Sequence, residues 1–143
     1  EEEEALAKNR SSVILSFDLT GAGNNAACRF QTAGDAEVKV WERLWMEHKY
    51  TDWLQYDILQ TPHHCSWRSL SHDSWRELDR QAKVSEYARQ ALSQARYGAV
   101  IVASCKPISA NDSDPPCIGA KREYEAIAKG VSVSFKCTAE YLT

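Results

Sequence analysis

The sequence predicts an α/β layered domain. Three observations carry this. Short runs rich in Val, Ile, Leu and Phe recur along the chain, the strongest being "SSVILSFDL" and "GAVIVASC". Between them lie stretches whose apolar residues fall at spacings of three and four, the period of a helix with one buried face. After an opening hairpin the two kinds of element alternate, as they do in a sheet flanked by helices.

Residues 1–10, "EEEEALAKNR", are acidic and helix-favouring but carry no apolar stripe, so they read as a linker or frayed end before a domain over residues 11–143. "SSVILSFDL" is the first strand. "TGAGNNA" sets Gly and Asn in series as a turn, and "ACRFQTAG" returns as the second strand of a hairpin. "DAEVKVWERLWMEHK" is a helix in which Val38, Trp41, Trp45 and His48 share a face, with Asp35 at the N-cap position. "WLQYDILQTP" is the third strand, stopped by Pro62. A Ser-rich loop, "SWRSLSHDS", leads into a helix over residues 74–96. "GAVIVASC" has the unbroken apolar character of a strand buried on both faces. "PPCIGAKREYEAIAKG" is a helix with Asp114 as its cap, Pro115 at its first position and Gly130 as its stop. "VSVSFKCTAEYL" alternates and closes the sheet. The expected core comprises Val13, Leu15, Phe17, Trp41, Trp45, Ile58, Val100, Val102 and Ile127.

The 143 residues suffice for one domain or a large piece of one, and 43% hydrophobic with 26% charged residues is ordinary for a globular chain. A net charge of −3 gives no overall footprint for nucleic acid, without excluding a local basic groove. The five cysteines are widely spaced and form no C-x-x-C pair, which argues against a zinc ribbon or a thioredoxin motif. Free thiols in a reducing, cytoplasmic setting are the expectation. The opening "EEEE" does not resemble a signal peptide, and no apolar stretch approaches the ~18 residues of a membrane span, so no membrane contact is expected from this segment.

Three polar clusters follow predicted strands, where α/β folds place their sites. They are "TAGDAE" with Asp35, "TPHHCSWRSLS" with His63, His64, Cys65 and Ser66, and "NDSDPP" with Asn111, Asp112 and Asp114. If the strands share one sheet and one direction, these loops meet at one edge. A carboxylate and imidazoles converging there suit zinc or manganese. Each cluster also has a plainer reading. Asp35 and Asp114 are good helix caps, a His-His pair in a loop is often solvated, and Cys65 serves as a small packed side chain. His48 and His72 read as structural, and the tryptophans at helical spacing as core.

In combination, "NRSSVILSF", "TAGDAE", "DILQTPHHCS", "AVIVASCKP" and "NDSDPP" resemble the C-terminal half of metallo-β-lactamase-fold hydrolases, especially the hydrolase domain of ComEC-type competence proteins. The resemblance runs from about Asn9 to Gly130. It implies half of an αββα sandwich, a mixed sheet with flanking helices. It also implies that Asp35 matches a metal-bridging aspartate and that one of His63 and His64 matches a histidine ligand. Asp35 and His64 would then serve catalysis, with Asp35, His63 and His64 as the metal-binding set. Three departures stand out. The family's "PHHG" is "PHHC" here, its late His-Pro is Asp114–Pro115, and its H-x-H-x-D-H motif is absent from the four histidines present.

The resemblance thus implies the C-terminal part of a dinuclear hydrolase acting on a phosphodiester, with nucleic acid or a nucleotide as substrate. Its two zinc or manganese ions would be shared with an N-terminal half of the fold, or with a second chain. The alternative is a catalytically degenerate module of the same fold, used for protein binding or scaffolding.

Overall fold

The computed structural model describes residues 12–141, so the acidic stretch at 1–10 lies outside the described residues. Ala22 and Gly23, both at positive φ, form a two-residue turn that folds β1 (Leu15–Gly21) back onto β2 (Asn24–Thr32). Positive φ at both central residues matches the twist of the paired strands, which is why this turn type closes hairpins. The chain continues through α1 (Val38–His48), β3 (Tyr56–Gln60), α2 (Trp75–Leu78), α3 (Glu86–Leu92), β4 (Ala95–Ala103), α4 (Ile118–Gly130) and β5 (Ser134–Cys137).

The five strands pair in sequence order. β1 is antiparallel to β2, and β2, β3, β4 and β5 are parallel. This mixed sheet with its helices is the α/β class read from the sequence. Crossovers between parallel strands are right-handed almost without exception. Because the strand order never reverses, each successive crossover puts its helix on the same face. The buried cluster agrees: Trp41 of α1, Ala88, Ala91 and Leu92 of α3, and Ala120, Tyr124 and Ile127 of α4 join Leu59, Ile101 and Ala103 of the sheet. At Gly119 a Cβ would run into the Trp75 ring, so the first turn of α4 needs glycine to lie against α2.

Lateral neighbours in a sheet share a face, so the register sorts the strand residues. Gln31, Leu59, Ile101 and Phe135 form one row on the helix side. Phe17, Phe30, Ile58 and Val100 form a row on the other side, flanked by Leu15, Leu19, Cys28 and Val102. No described element covers that second face.

Several expectations are corrected as a result. Val13, Leu15 and Phe17 are exposed, at 66%, 46% and 44%, and not part of the core. Ile58, Val100, Val102 and Trp45 are only partly buried, while Trp41 and Ile127 are buried. β4 is therefore packed on one face, not both. Its apolar character extends onto the open side, and a bulge at Gly98, with φ +76°, shifts its register against β3. Residues 74–96 are not one helix. Asp79 takes φ 47° after α2, and Ser85 restarts the chain as the cap of α3, its Oγ accepting from the Ala88 N–H. α1 begins at Val38 behind Glu37, so Asp35 does not cap it. α4 begins at Ile118 behind Cys117, so neither Asp114 nor Pro115 starts it.

The two faces predict opposite mutational responses. Trp41→Ala should lower unfolding free energy by about 3–5 kcal/mol, the usual cost of removing a buried aromatic. Phe17→Ser, on the exposed face, should leave the urea unfolding midpoint nearly unchanged.

Candidate functional site

The parallel strands β2, β3 and β4 all end on the same edge, and the loops that follow are bonded to one another. The His63 N–H donates to the Gly34 carbonyl at 2.8 Å, joining the loop that bears Asp35 to the "PHH" segment. The Cys117 N–H donates to the Cys65 carbonyl at 3.0 Å, joining that segment to the approach to α4. Ser69 Oγ donates to the Ala36 carbonyl at 2.9 Å, a second tie to the Asp35 loop.

His63, His64 and Cys65 are three consecutive residues in the left-handed region, with φ of 47°, 54° and 66°. For residues with a Cβ this costs about 1–2 kcal/mol each. The turn persists because its neighbours over-determine it. Beyond the two backbone bonds above, Pro62 ends β3 and the Cys65 side chain is fully buried. Burial pushes the Cys65 thiol well above its ordinary pKa, so it stays neutral and packed.

The turn throws the two imidazoles apart, with ring centroids 6.3 Å from each other. His64 Nδ1 lies 2.8 Å from the Ser104 carbonyl at the end of β4. A carbonyl oxygen only accepts, so this nitrogen carries the proton and the neutral ring keeps its lone pair on Nε2. His64 is exposed. A ring fixed by a backbone carbonyl with its other nitrogen free is the usual posture of a metal-binding histidine. His63 is partly buried, and its Nδ1 has no hydrogen-bond partner among the described residues.

Asp114, read as a helix cap, instead organises this edge. Its Oδ1 accepts from Ser66 Oγ at 2.5 Å and from the Trp67 N–H at 3.1 Å, and its Oδ2 pairs with Arg68 Nε at 3.4 Å. Arg76 donates to Ser113 Oγ and to the Asp114 carbonyl. A cavity of about 510 Å³ opens beside these groups, lined by His63, Trp67, Arg68, His72, Arg76 and Asp114 among others. Asp35, partly buried, lies outside its lining.

His72 and His48 both have structural settings. His72 Nε2 lies 2.8 Å from Glu42 Oε1, which also accepts from Ser85 Oγ at 2.6 Å. Burial pushes the Glu42 carboxyl up, but the bonds from Ser85 and His72 outweigh it and its pKa falls below the ordinary value. His48 stacks on Trp53 with centroids 5.1 Å apart.

One carboxylate and two imidazoles are donors that zinc or manganese accepts. A catalytic zinc normally takes three protein ligands, however. Among the described residues no group of three or more His, Cys, Asp or Glu is placed to hold a metal ion. The donor types suit such a metal, but the described residues do not by themselves make a complete site. Sequence reasoning missed Ser104, Arg68, Arg76 and the structural role of Asp114. The serines after "PHHC" were the available signal for Ser66 and Ser69. Ser104 acts through its backbone and leaves no mark in the sequence.

Neither a protein-family model, nor a curated protein, nor a solved structure matches this chain. No helix among the described residues is long and apolar enough to cross a membrane.

Asp114→Ala strands Ser66 Oγ and the Trp67 N–H and should cost about 2–3 kcal/mol in chemical denaturation, the scale of hydrogen bonds to a charged acceptor. Glu42 titrates lower folded than unfolded, so its contribution is present above the ordinary glutamate pKa and lost as pH falls through the folded value. The urea midpoints of the protein and of Glu42→Gln should differ at neutral pH and converge on acidification.

Proposed function

We propose that this chain is the C-terminal part of a dinuclear, metal-dependent hydrolase of metallo-β-lactamase type. In this reading it supplies Asp35 and His64, with His63 alongside, to a site completed by a second sheet that carries an H-x-H-x-D-H motif. The observation that carries the reading is the pose of His64. Its Nδ1–H is bound to the Ser104 carbonyl, its Nε2 has no hydrogen-bond partner among the described residues, and its loop is stitched to the loop of Asp35 at the carboxyl edge of parallel strands. The three-residue left-handed turn adds support, since strain of this kind gathers at functional sites. The open apolar face supports the other half of the proposal, because a sheet face of this character is normally covered by a second sheet about 10 Å away.

Divalent zinc or manganese ions, when bound, would supply an activated water and charge stabilisation for in-line attack on a phosphodiester. The chain's own tasks are simpler. Asp35 offers carboxylate oxygens, and His64 offers one oriented lone pair. The hydrogen bonds accepted by the Gly34 and Ser104 carbonyls, and the one the Cys117 N–H donates to the Cys65 carbonyl, keep those donors still. The cavity beside His63 gives a substrate somewhere to sit, with Arg68 and Arg76 at its wall.

A degenerate module that binds proteins through its open face is the second reading. It is favoured by the lack of a three-donor group among the described residues.

Metal content and turnover separate the two. The chain alone should bind zinc weakly and leave a chromogenic phosphodiester intact. Adding a chain or segment that carries H-x-H-x-D-H should raise metal content by elemental analysis and produce hydrolysis. In that complex Asp35→Ala and His64→Ala should each abolish turnover with the circular dichroism spectrum unchanged. If no such partner confers either metal or turnover, the hydrolase reading is wrong and the module reading stands.

A further inference from the structure

The site just described leaves one chemical cluster unused. Cys105 lies just beyond β4, and Cys137 ends β5, with their sulfurs 3.8 Å apart. The Cys137 thiol also donates to the carbonyls of Cys105 at 3.2 Å and Lys106 at 3.3 Å, which holds it against the start of the β4–α4 loop. The sheet causes this approach: Ala103 is the register partner of Cys137, and Cys105 follows two residues later. Sulfurs already in van der Waals contact need only close to about 2.0 Å to bond. Ser104, whose carbonyl accepts the hydrogen bond from the His64 ring, immediately precedes Cys105.

We propose that Cys105 and Cys137 are a modification site, forming a reversible disulfide whose closure shifts the Ser104 carbonyl and with it the seating of His64. The bond itself does not depend on the hydrolase reading. Its consequence for His64 rests only on the His64–Ser104 hydrogen bond, whatever that imidazole binds. The oxidant is a small-molecule disulfide such as oxidised glutathione. Cys105, which is partly exposed, reacts first. Its thiolate attacks one sulfur of the oxidant, whose S–S bond breaks and releases one small thiol with its proton. Cys137 then attacks the Cys105 sulfur of the mixed disulfide and expels the second small thiol. Two protein thiols lose two protons and two electrons, and the oxidant takes up both.

The surroundings set the tempo and the choice of pair. Burial, helped by the neighbouring Cys137 thiol, pushes the Cys105 pKa up to about 12. Little thiolate exists at neutral pH, so exchange is slow there and accelerates as pH rises. Cys65 and Cys117 are buried, with their thiols also pushed up by burial. Cys28 lies on the open face of the sheet, on the far side from the helices. Transient oxidation should therefore pass the pair by, while sustained oxidation closes it.

The test is to incubate the full chain with excess oxidised glutathione at mildly alkaline pH, block remaining thiols with N-ethylmaleimide, digest and analyse by mass spectrometry. The expected product is a peptide pair joined through Cys105 and Cys137, reopened by dithiothreitol. Its rate of formation should climb about tenfold per pH unit below the Cys105 pKa, in step with the thiolate fraction. Cys137→Ser should arrest the reaction with glutathione on Cys105. The proposal is overturned if the unsubstituted chain also stops at that mixed disulfide, or if the linked peptides join other cysteines. Imidazole resonances read by NMR complete the test. Those of His64 should move on oxidation and return on reduction, and an unchanged His64 in the oxidised protein would sever the link to the site.

Discussion

Three consecutive side-chain-bearing residues in the left-handed region cannot hold themselves, and the carboxyl edge of this protein is arranged around holding them. His63, His64 and Cys65 take this conformation between a Pro62 that ends β3 and a Ser66 that opens the next turn. The bond from the His63 N–H anchors one end to the loop after β2, and the bond to the Cys65 carbonyl anchors the other to the residues before α4. Asp114 then gathers Ser66, Trp67 and Arg68 from below the turn. Loosening any of these ties lets the turn relax into ordinary backbone, and the two imidazoles would no longer point where they do.

The sheet divides its work between an edge and a face. The carboxyl edge carries the polar loops, and the amino-acid alternation of every parallel strand sends one set of side chains into the helices. The remaining set, from Leu15, Phe17 and Leu19 across Phe30 to Ile58 and Val102, has no cover among the described residues. Phe17 and Phe30 stack on each other at a centroid distance of 6.2 Å, which reduces their exposure without removing it. Charged residues are absent from the middle of this face, while Lys136 stands at its β5 margin. Any occupant is thus selected by shape and apolar character over the middle strands, and meets a charge only at the rim.

Much of this was legible in the chain. Alternation in "SFDL" and "CRFQ", the helical spacing around Trp41, and the paired turn residues before Asn24 lead to the right elements in the right order. The polar loops after β2, β3 and β4 were legible as a group because strand ends collect them. What stayed hidden has identifiable causes. The strength of "AVIVA" could not say which face would find a partner, since both a two-sided and a one-sided strand are written with the same residues. The break at Asp79 is a backbone conformation, not a composition. Asp114 precedes two prolines and looks like a cap, yet its carboxylate finds better partners 47 and 48 residues away. Ser104 acts through a carbonyl that every residue possesses.

The strand order has a kinetic consequence. Every strand pairs with its immediate successor, so the sheet can lengthen one crossover at a time, each new strand docking on an edge already formed. The hairpin closes through a two-residue turn, and each later unit closes only its own crossover, residues 33–55, 61–94 and 104–133 in turn, not an excursion across the whole chain. The β1–β2 hairpin, with its two-residue turn, is the most local of these units and the natural first template. Folding by such accretion is fast for a parallel sheet, where strand order often forces distant segments to meet. It also means that β5, added last and only four residues long, is the strand that leaves first when the protein begins to open.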